Sequence, residues 1–588
     1  MSQSMDISYL DQALAEHLSQ FYQCEETWFR HTLMAVSQAL MQGHACLHLA
    51  RWAGQPVVGE GEQPFVMPDL DDWLACLSAL PLAPADQTPL VLEHQRLYLR
   101  RYWQFETELA AALKQRLQPL AVPDISQARA TLDALFPPAP GQPGPDWQKV
   151  AAANALFQGF SVVAGGPGTG KTYTVTRLLA CLIECLGQGQ PQGLVVRMAA
   201  PTGKAAQRLA ESVSLAKSQL QGLVAQSVLD AIPNEGSTLH RLLGVIPHSL
   251  QFRHHQGHPL ALDILVVDEV SMVDLPMMAR LFRALPAQCR VILLGDANQL
   301  PSVAAGSVLA DLAGGAHPGY SEERLAQLAR LGILLDQTTP GQGDHLSLLR
   351  LSRRFDGEGG IGRLALAVLE GEAKASMSIL SSGVTELHWI EDNRFNAVLA
   401  GWAEAYYRPI AQFDDLAAAF KALAQFRILT PVRNGPRGVD ALNRQVAARM
   451  NPSGKPFFQG QPIMITRNQY ELGLYNGDIG LIWPDDQGLL MAWFPLGEGF
   501  RPMAPGRLPE HETVYAMTIH KTQGSEFSRV AIVLPDAPHP MLSRELLYTG
   551  ITRAKDVLEV CGSEAVWRSA VEQQVQRHSG LALRLKAS

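Results

Sequence analysis

A chain of 588 residues, 47% hydrophobic and 18% charged, is too long for one hydrophobic core and predicts three or four globular domains. No apolar stretch approaches the roughly 20 residues that cross a bilayer, and residues 1–6 lack a basic patch ahead of an apolar core, so neither a membrane span nor a signal peptide is expected. The net charge of −8 weighs against a nucleic-acid partner, which usually meets a basic domain, although a local basic groove can coexist with an acidic exterior. Seven scattered cysteines, Cys24, Cys46, Cys76, Cys181, Cys185, Cys289 and Cys561, form no C-x-x-C pair. They argue against a disulfide framework or a zinc or iron–sulfur site, and for a reducing cytoplasm.

Residues 1–118 read as a separate, largely helical module. In it, Leu97-Tyr98-Leu99-Arg100-Arg101-Tyr102-Trp103 opens a segment whose helical periodicity continues over 106–117. The module shows no phosphate loop, metal cluster or catalytic pairing, and its Trp and Tyr residues are assigned to a core. The run Phe136-Pro137-Pro138-Ala139-Pro140-Gly141-Gln142-Pro143-Gly144-Pro145 breaks regular structure and marks a linker or surface loop. A first α/β domain is expected over 119–345. Its strand candidates, 161–164, 194–199, 262–267 and 291–294, are apolar and β-branched and alternate with helices, the pattern of a parallel sheet covered on both faces. Residues 313–347 are loop-rich and unassigned. A second α/β domain is expected over 346–588, with strands at Ile428-Leu429-Thr430, Val530-Ala531-Ile532-Val533-Leu534 and Leu558-Glu559-Val560. Within it, a tight hairpin turn at Tyr475-Asn476-Gly477-Asp478 and short strands at 479–483 and 489–494 predict a small inserted β-barrel over about 455–512.

The densest chemical signal is Gly165-Gly166-Pro167-Gly168-Thr169-Gly170-Lys171-Thr172, which fits G-x-x-x-x-G-K-[ST] between a strand and a helix. Its glycines let backbone N–H groups curl around phosphate oxygens, Lys171 adds a point charge for the β- and γ-phosphates, and the Thr172 hydroxyl suits Mg²⁺. Val266-Val267-Asp268-Glu269-Val270-Ser271 ends an apolar strand: Asp268 is a second Mg²⁺ anchor and Glu269 a group to orient or deprotonate water. Leu293-Leu294-Gly295-Asp296-Ala297-Asn298-Gln299-Leu300-Pro301 ends another strand, and Gln299 is a candidate sensor of the γ-phosphate on the same sheet edge.

Segments running in order from Gln148 to Lys555 resemble superfamily 1 helicases, and within them the RecD family, the alpha subunits of bacterial exodeoxyribonuclease V. Asp146-Trp147-Gln148-Lys149-Val150-Ala151 resembles the Q motif, Ala200-Pro201-Thr202-Gly203-Lys204-Ala205-Ala206 motif Ia, and Ser237-Thr238-Leu239-His240-Arg241-Leu242-Leu243-Gly244 the segment after it. The Asp268 and Gln299 segments resemble motifs II and III. Leu351-Ser352-Arg353-Arg354-Phe355 resembles motif IV, where Arg354 is preferred over Arg353 because it directly precedes Phe355, as in the family. Thr518-Ile519-His520-Lys521-Thr522-Gln523-Gly524-Ser525-Glu526-Phe527 resembles motif V and Tyr548-Thr549-Gly550-Ile551-Thr552-Arg553-Ala554-Lys555 motif VI. A softer similarity around 44–50 and 89–103 points to RecD in particular.

The resemblance implies two RecA-like parallel-sheet motor domains, a helical N-terminal domain and an SH3-like β-barrel inserted in the second motor domain. It implies an ATP hydrolase and 5′-to-3′ DNA helicase that acts with RecB and RecC on single-stranded and duplex-end DNA, in double-strand break repair, homologous recombination and linear DNA degradation. ATP is then bound by Gln148 and the 165–172 loop, Mg²⁺ by Thr172 and Asp268, and the γ-phosphate is met by Arg354 and Arg553. Thr202, Lys204, His240, Thr518 and His520 are the implied DNA contacts. Glu372-Ala373-Lys374 is an isolated E-x-K without an upstream Pro-Asp, read as a solvated helix end, which leaves nuclease chemistry to a partner.

Overall fold

Six short strands form one parallel sheet in the computed structural model, which describes residues 3–5, 7–59, 65–138, 144–187, 193–246, 248–249, 251–337, 339–352, 354, 359–497 and 499–586. The strand order is Leu346–Leu349, Phe160–Gly165, Arg290–Gly295, Ile264–Val267, Val196–Ala200 and Ser237–Thr238. Val163, Val266, Ile292 and Leu294 face one core, packed by the helices Trp147–Leu156 and Lys171–Leu186. Val162, Leu265, Val267, Val291 and Leu293 face the other, packed by Arg100–Arg116 and Leu275–Ala284. Burial on both faces is why these strands read as unbroken apolar runs rather than alternating ones.

Two features depart from the expected layout. Leu346–Leu349 pairs in parallel with Phe160–Gly165, so the first sheet continues past 345. The segment 313–347 holds the helix Glu322–Arg330 and the start of that strand. Of the expected linker, residues 139–143 lie outside the described residues, between the helices Ile125–Leu135 and Trp147–Leu156.

A second parallel sheet runs in the order Leu387–Glu391, Ala554–Gly562, Phe527–Val533, Phe426–Thr430, Ala516–Thr518. Between its last two strands in space the chain inserts a five-stranded antiparallel sheet: Gly499–Met503, Leu490–Leu496, Ile479–Pro484, Pro462–Ile465, His511–Thr513. Its two outer strands are not paired with each other, so among the described residues the ladder of the expected small barrel is open. The turn at Tyr475 to Asp478 does form, with Gly477 at φ +93° and Asp478 N–H donating to the Tyr475 carbonyl at 3.0 Å. It closes a longer connection over 466–478 rather than making a two-residue hairpin.

The N-terminal module is less purely helical than expected. Helices Tyr9–Tyr22, Thr27–Met41 and Leu70–Ser78 enclose Phe29, Leu33, Trp73 and Leu77, but two three-stranded sheets accompany them. Arg96–Leu99 is a strand, and helix begins at Arg100. That helix buries Phe105, Leu109 and Leu113 in the core of the first parallel sheet, so module and sheet share it. A C-terminal segment returns to the same place. Gly580 N–H donates to Glu106 (2.9 Å), Ser579 Oγ to Asp311 (2.8 Å), and the His44 and His578 rings stack with centroids 4.5 Å apart. Arg584 ion-pairs with Glu93 and Glu106. The end of the second α/β domain is thereby bound to the N-terminal module and to the first domain.

Candidate nucleotide cleft

The 165–172 loop leaves the strand Phe160–Gly165 and enters the helix Lys171–Leu186. Gly168 (φ +77°) and Gly170 (φ +80°) occupy left-handed backbone that an L side chain rarely adopts. A Cβ on Gly168 would also lie 2.5 Å from Arg354 Cβ, and one on Gly170 2.5 Å from Gln148 Nε2. Gln148 Nε2 donates to the Thr169 carbonyl (3.0 Å), Thr169 Oγ1 to Gly166 (2.8 Å), and Ser352 Oγ to Pro167 (2.9 Å). The loop is thus braced from the Q-motif helix on one side and from the segment leading to Arg354 on the other. Lys171 Nζ donates to the carbonyls of Gly165 (2.7 Å) and Gly166 (3.1 Å), which hold the ammonium over the cradle.

Asp268 and Glu269 follow the neighbouring strand Ile264–Val267. Burial, with Glu269 beside it, pushes the Asp268 carboxyl up to about 7, while Lys171 opposes the shift. Glu269 N–H donates to Asp268 Oδ1 (2.8 Å), and Glu269 itself sits at φ +52°, a strained position for a non-glycine residue. The adjacent carboxylates of Asp268 and Glu269 are hard oxygen donors of the kind that suits a divalent cation. The shift has a measurable consequence. Asp268 keeps its proton in the folded protein up to about pH 7, whereas an unfolded aspartate loses it near its ordinary value of 3.8. Stability of the nucleotide-free protein therefore falls as pH rises through that window. Asp268→Asn is expected to raise the melting temperature on the order of 5 °C at pH 8, by thermal shift, and by less at pH 5.

The second α/β domain reaches this edge. Tyr548, on the helix Arg544–Ile551, donates its O–H to Asp296 Oδ2 at 2.9 Å, and a Cβ on Gly166 would lie 3.1 Å from the Tyr548 hydroxyl oxygen. Leu300 N–H donates to Thr549 Oγ1 (3.0 Å) and Gln523 Nε2 to the Leu300 carbonyl (3.1 Å). Arg208 of the first domain donates to the Gly524 carbonyl. Arg354 pairs with Glu526 (2.7 Å), which Lys555 also approaches (3.5 Å). Arg553, 3% exposed, donates to the Thr549 carbonyl (3.0 Å) and the Ser525 carbonyl (3.1 Å). Arg353 and Phe355 lie outside the described residues.

Comparison with known proteins fits this architecture. A family model described as the RecBCD enzyme subunit RecD, N-terminal domain, matches residues 4–98; an AAA domain matches 148–305 and a UvrD-like helicase C-terminal domain 513–560. The RecBCD enzyme subunit RecD of Haemophilus influenzae is 39% identical over 87% of this chain and 84% of its own length. That of Mycolicibacterium smegmatis is 40% identical over 93% and 92%. The chain belongs to the RecD family. The ATP-dependent RecD2 DNA helicase of Deinococcus radiodurans is also similar, 31% identical over 82% of this chain, which spans 60% of that protein.

In this RecD chain, the residues singled out for DNA follow strands at or next to an edge of each sheet. Thr202 and Lys204 follow the strand Val196–Ala200, His240 follows the edge strand Ser237–Thr238, and Thr518 and His520 follow the edge strand Ala516–Thr518. Thr202 caps the helix Gly203–Ser218, accepting from Ala205 N–H at 3.2 Å. Burial, with Arg208 next, lowers Lys204 to about 7, and Asp478 of the inserted sheet opposes the shift. A Cβ on Gly203 would lie 3.3 Å from the Tyr475 ring, so the 475–478 turn sits directly over motif Ia. His240 is exposed, its ring centroid 5.9 Å from that of Phe252. Thr518 Oγ1 accepts from Lys521 N–H (3.4 Å), and burial together with Arg577 lowers the His520 pKa. Glu372 is exposed ahead of the helix Ala373–Leu380. Sequence reasoning missed Asp296, Tyr548, Thr549, Gln523 and Arg208 as cross-domain contacts. The first four stand inside quoted motifs, but no spacing links residues that meet across 252 positions.

Proposed function

We propose that this RecD chain is an ATP-driven DNA helicase that works as the motor subunit of a RecB–RecC–RecD assembly. One observation carries the reading: the second α/β domain sets Arg354 against Gly168 and Tyr548 against Gly166, so the phosphate loop forms one wall of a cleft between two domains. ATP phosphates occupy the 165–172 cradle under Lys171, and Gln148 meets the adenine edge. Thr172 and Asp268 would hold Mg²⁺, which when bound neutralises phosphate charge. Glu269 orients or deprotonates the attacking water, and Arg354 and Arg553 stabilise charge spreading onto the γ-phosphate. Those arginines favour a closed cleft while the γ-phosphate is present, and hydrolysis releases them. With DNA lying across Thr202, Lys204 and His240 of one domain and Thr518 and His520 of the other, alternate closing and opening becomes stepping, 5′ to 3′ as in the family. Grip on the backbone with base stacking keeps the stepping sequence-tolerant. The N-terminal module docks on RecC, nuclease chemistry lies in a partner, and the assembly acts in the cytoplasm on single-stranded and duplex-end DNA.

The similarity to RecD2 favours one second reading, a stand-alone helicase. Native mass of the chain purified beside its RecB and RecC homologues, with ATPase rates measured with and without single-stranded DNA, separates the readings. A heterotrimer with DNA-stimulated turnover is expected. A monomer that unwinds DNA alone establishes the second reading. Absence of DNA stimulation in either form removes the motor.

A further inference from the structure

Gln299 was expected to sense the γ-phosphate, and the hydrogen bonds around it point elsewhere. The Gln299 side chain is 5% exposed, and its Nε2 lies 3.3 Å from Asp296 Oδ2. An ionised carboxylate only accepts, so turning the amide over would set two acceptors face to face; the NH₂ end is therefore committed to Asp296. Gln299 Oε1 is buried and has no hydrogen-bond partner among the described residues. A buried acceptor left unsatisfied is destabilising, on the order of 1–3 kcal/mol, and is retained where something arrives to fill it. A γ-phosphate offers only acceptor oxygens near neutral pH and cannot fill it. A water molecule poised to attack that phosphate can, because it brings O–H donors.

Asp296 is 2% exposed and its carboxylate accepts three hydrogen bonds: Oδ1 from Asn298 N–H (3.0 Å), and Oδ2 from Gln299 Nε2 (3.3 Å) and the Tyr548 hydroxyl (2.9 Å). Tyr548 comes from the second domain. Burial and the adjacent Asp296 hold its phenol well above the ordinary value, so it remains a donor. The following residues tie the same loop to the second domain through Leu300–Thr549 and Leu300–Gln523. We infer that Tyr548 is a positioning residue for ATP hydrolysis: closing the cleft brings its O–H to Asp296, which fixes the Gln299 amide with its carbonyl oxygen presented to the attacking water. Domain closure is then a condition for water placement, and hydrolysis in the open cleft is suppressed. The inference rests on the proposed ATPase reading of this cleft.

Tyr548→Phe keeps the ring and removes one hydroxyl. In the purified complex with saturating single-stranded DNA, we expect kcat for ATP to fall about 10- to 100-fold, as a misplaced reacting group does. KM for ATP should stay within about 3-fold, because the phosphate cradle is untouched. Asp296→Asn, which turns an acceptor-only group into one that also donates, should lower kcat by a similar factor. The double variant should be no slower than the slower single variant, because both act through one chain of bonds. Wild-type kcat in Tyr548→Phe, a loss confined to KM, or losses that multiply in the double variant would each overturn the inference. Lys171→Gln assayed in parallel separates the two levels: retained turnover there defeats the ATPase reading itself, whereas its loss beside a normal Tyr548→Phe defeats only the role of Tyr548.

Discussion

Lys171→Gln in this subunit alone is expected to reduce its ATP turnover by about 10²–10³-fold and to remove strand displacement from 5′ ends by the assembled complex. Lys171 Nζ is held between the carbonyls of Gly165 and Gly166 at 2.7 and 3.1 Å, beside the first turn of the helix Lys171–Leu186. A glutamine amide can still donate to those carbonyls, so the loop and its bracing by Gln148 and Ser352 should survive. What disappears is the positive charge that, in the proposed mechanism, meets the β- and γ-phosphates as charge builds during transfer, inside a cleft where water screens it poorly. An unchanged melting profile beside lost turnover would place the effect in the chemistry. Unaltered 5′-to-3′ unwinding by the complex would show that this phosphate loop does not drive that motor.

How much of this was legible in the sequence depended on distance along the chain. The phosphate loop and the Asp268-Glu269 pair are contiguous strings at strand ends, and a handful of adjacent residues defines their chemistry. Strands such as Phe160–Gly165 and the 530–533 stretch of Phe527–Val533 announced themselves because both faces are buried and every position is apolar or small. The shorter strands Leu346–Leu349, Leu387–Glu391 and Ala516–Thr518 did not, since three to five residues carry too little pattern to outweigh their flanks. The N-terminal ladders failed for the same reason. The C-terminal return to Glu106 was invisible because residues 573–580 are polar and aperiodic, and their bonds reach across more than 470 positions. The bonds among Asp296, Gln299 and Tyr548 fall in the same class. Two motif-like segments were recognisable separately, but only the folded cleft shows which atom of each faces the other.

The largest effect is expected at Arg553, where loss of the guanidinium should lower kcat by about 10³-fold or more while KM for ATP changes only a few-fold. The two arginines of the second domain are prepared differently. Arg354 is occupied by Glu526 at 2.7 Å and, in the proposed mechanism, would have to exchange that carboxylate for phosphate. Arg553 is anchored by neutral carbonyls, those of Thr549 and Ser525, and among the described residues has no carboxylate as a hydrogen-bond partner. A planar fork fixed by two carbonyls presents its remaining N–H groups in a set direction, and its charge stays available when the cleft closes. Arg553→Ala would also take the donor from the Ser525 carbonyl, at about 1–3 kcal/mol, while the Thr549 carbonyl keeps the Thr552 hydroxyl (3.2 Å), so a fall in activity there mixes stability with chemistry. Arg553→Lys is the sharper test, because it keeps the charge and one donor but loses the fork. Steady-state ATPase at saturating single-stranded DNA should show Arg553→Lys nearly as impaired as Arg553→Ala, with nucleotide binding retained in both. Wild-type turnover by Arg553→Lys would move the role of γ-phosphate stabiliser to Arg354, and with it the view that the finger is prepared before ATP arrives.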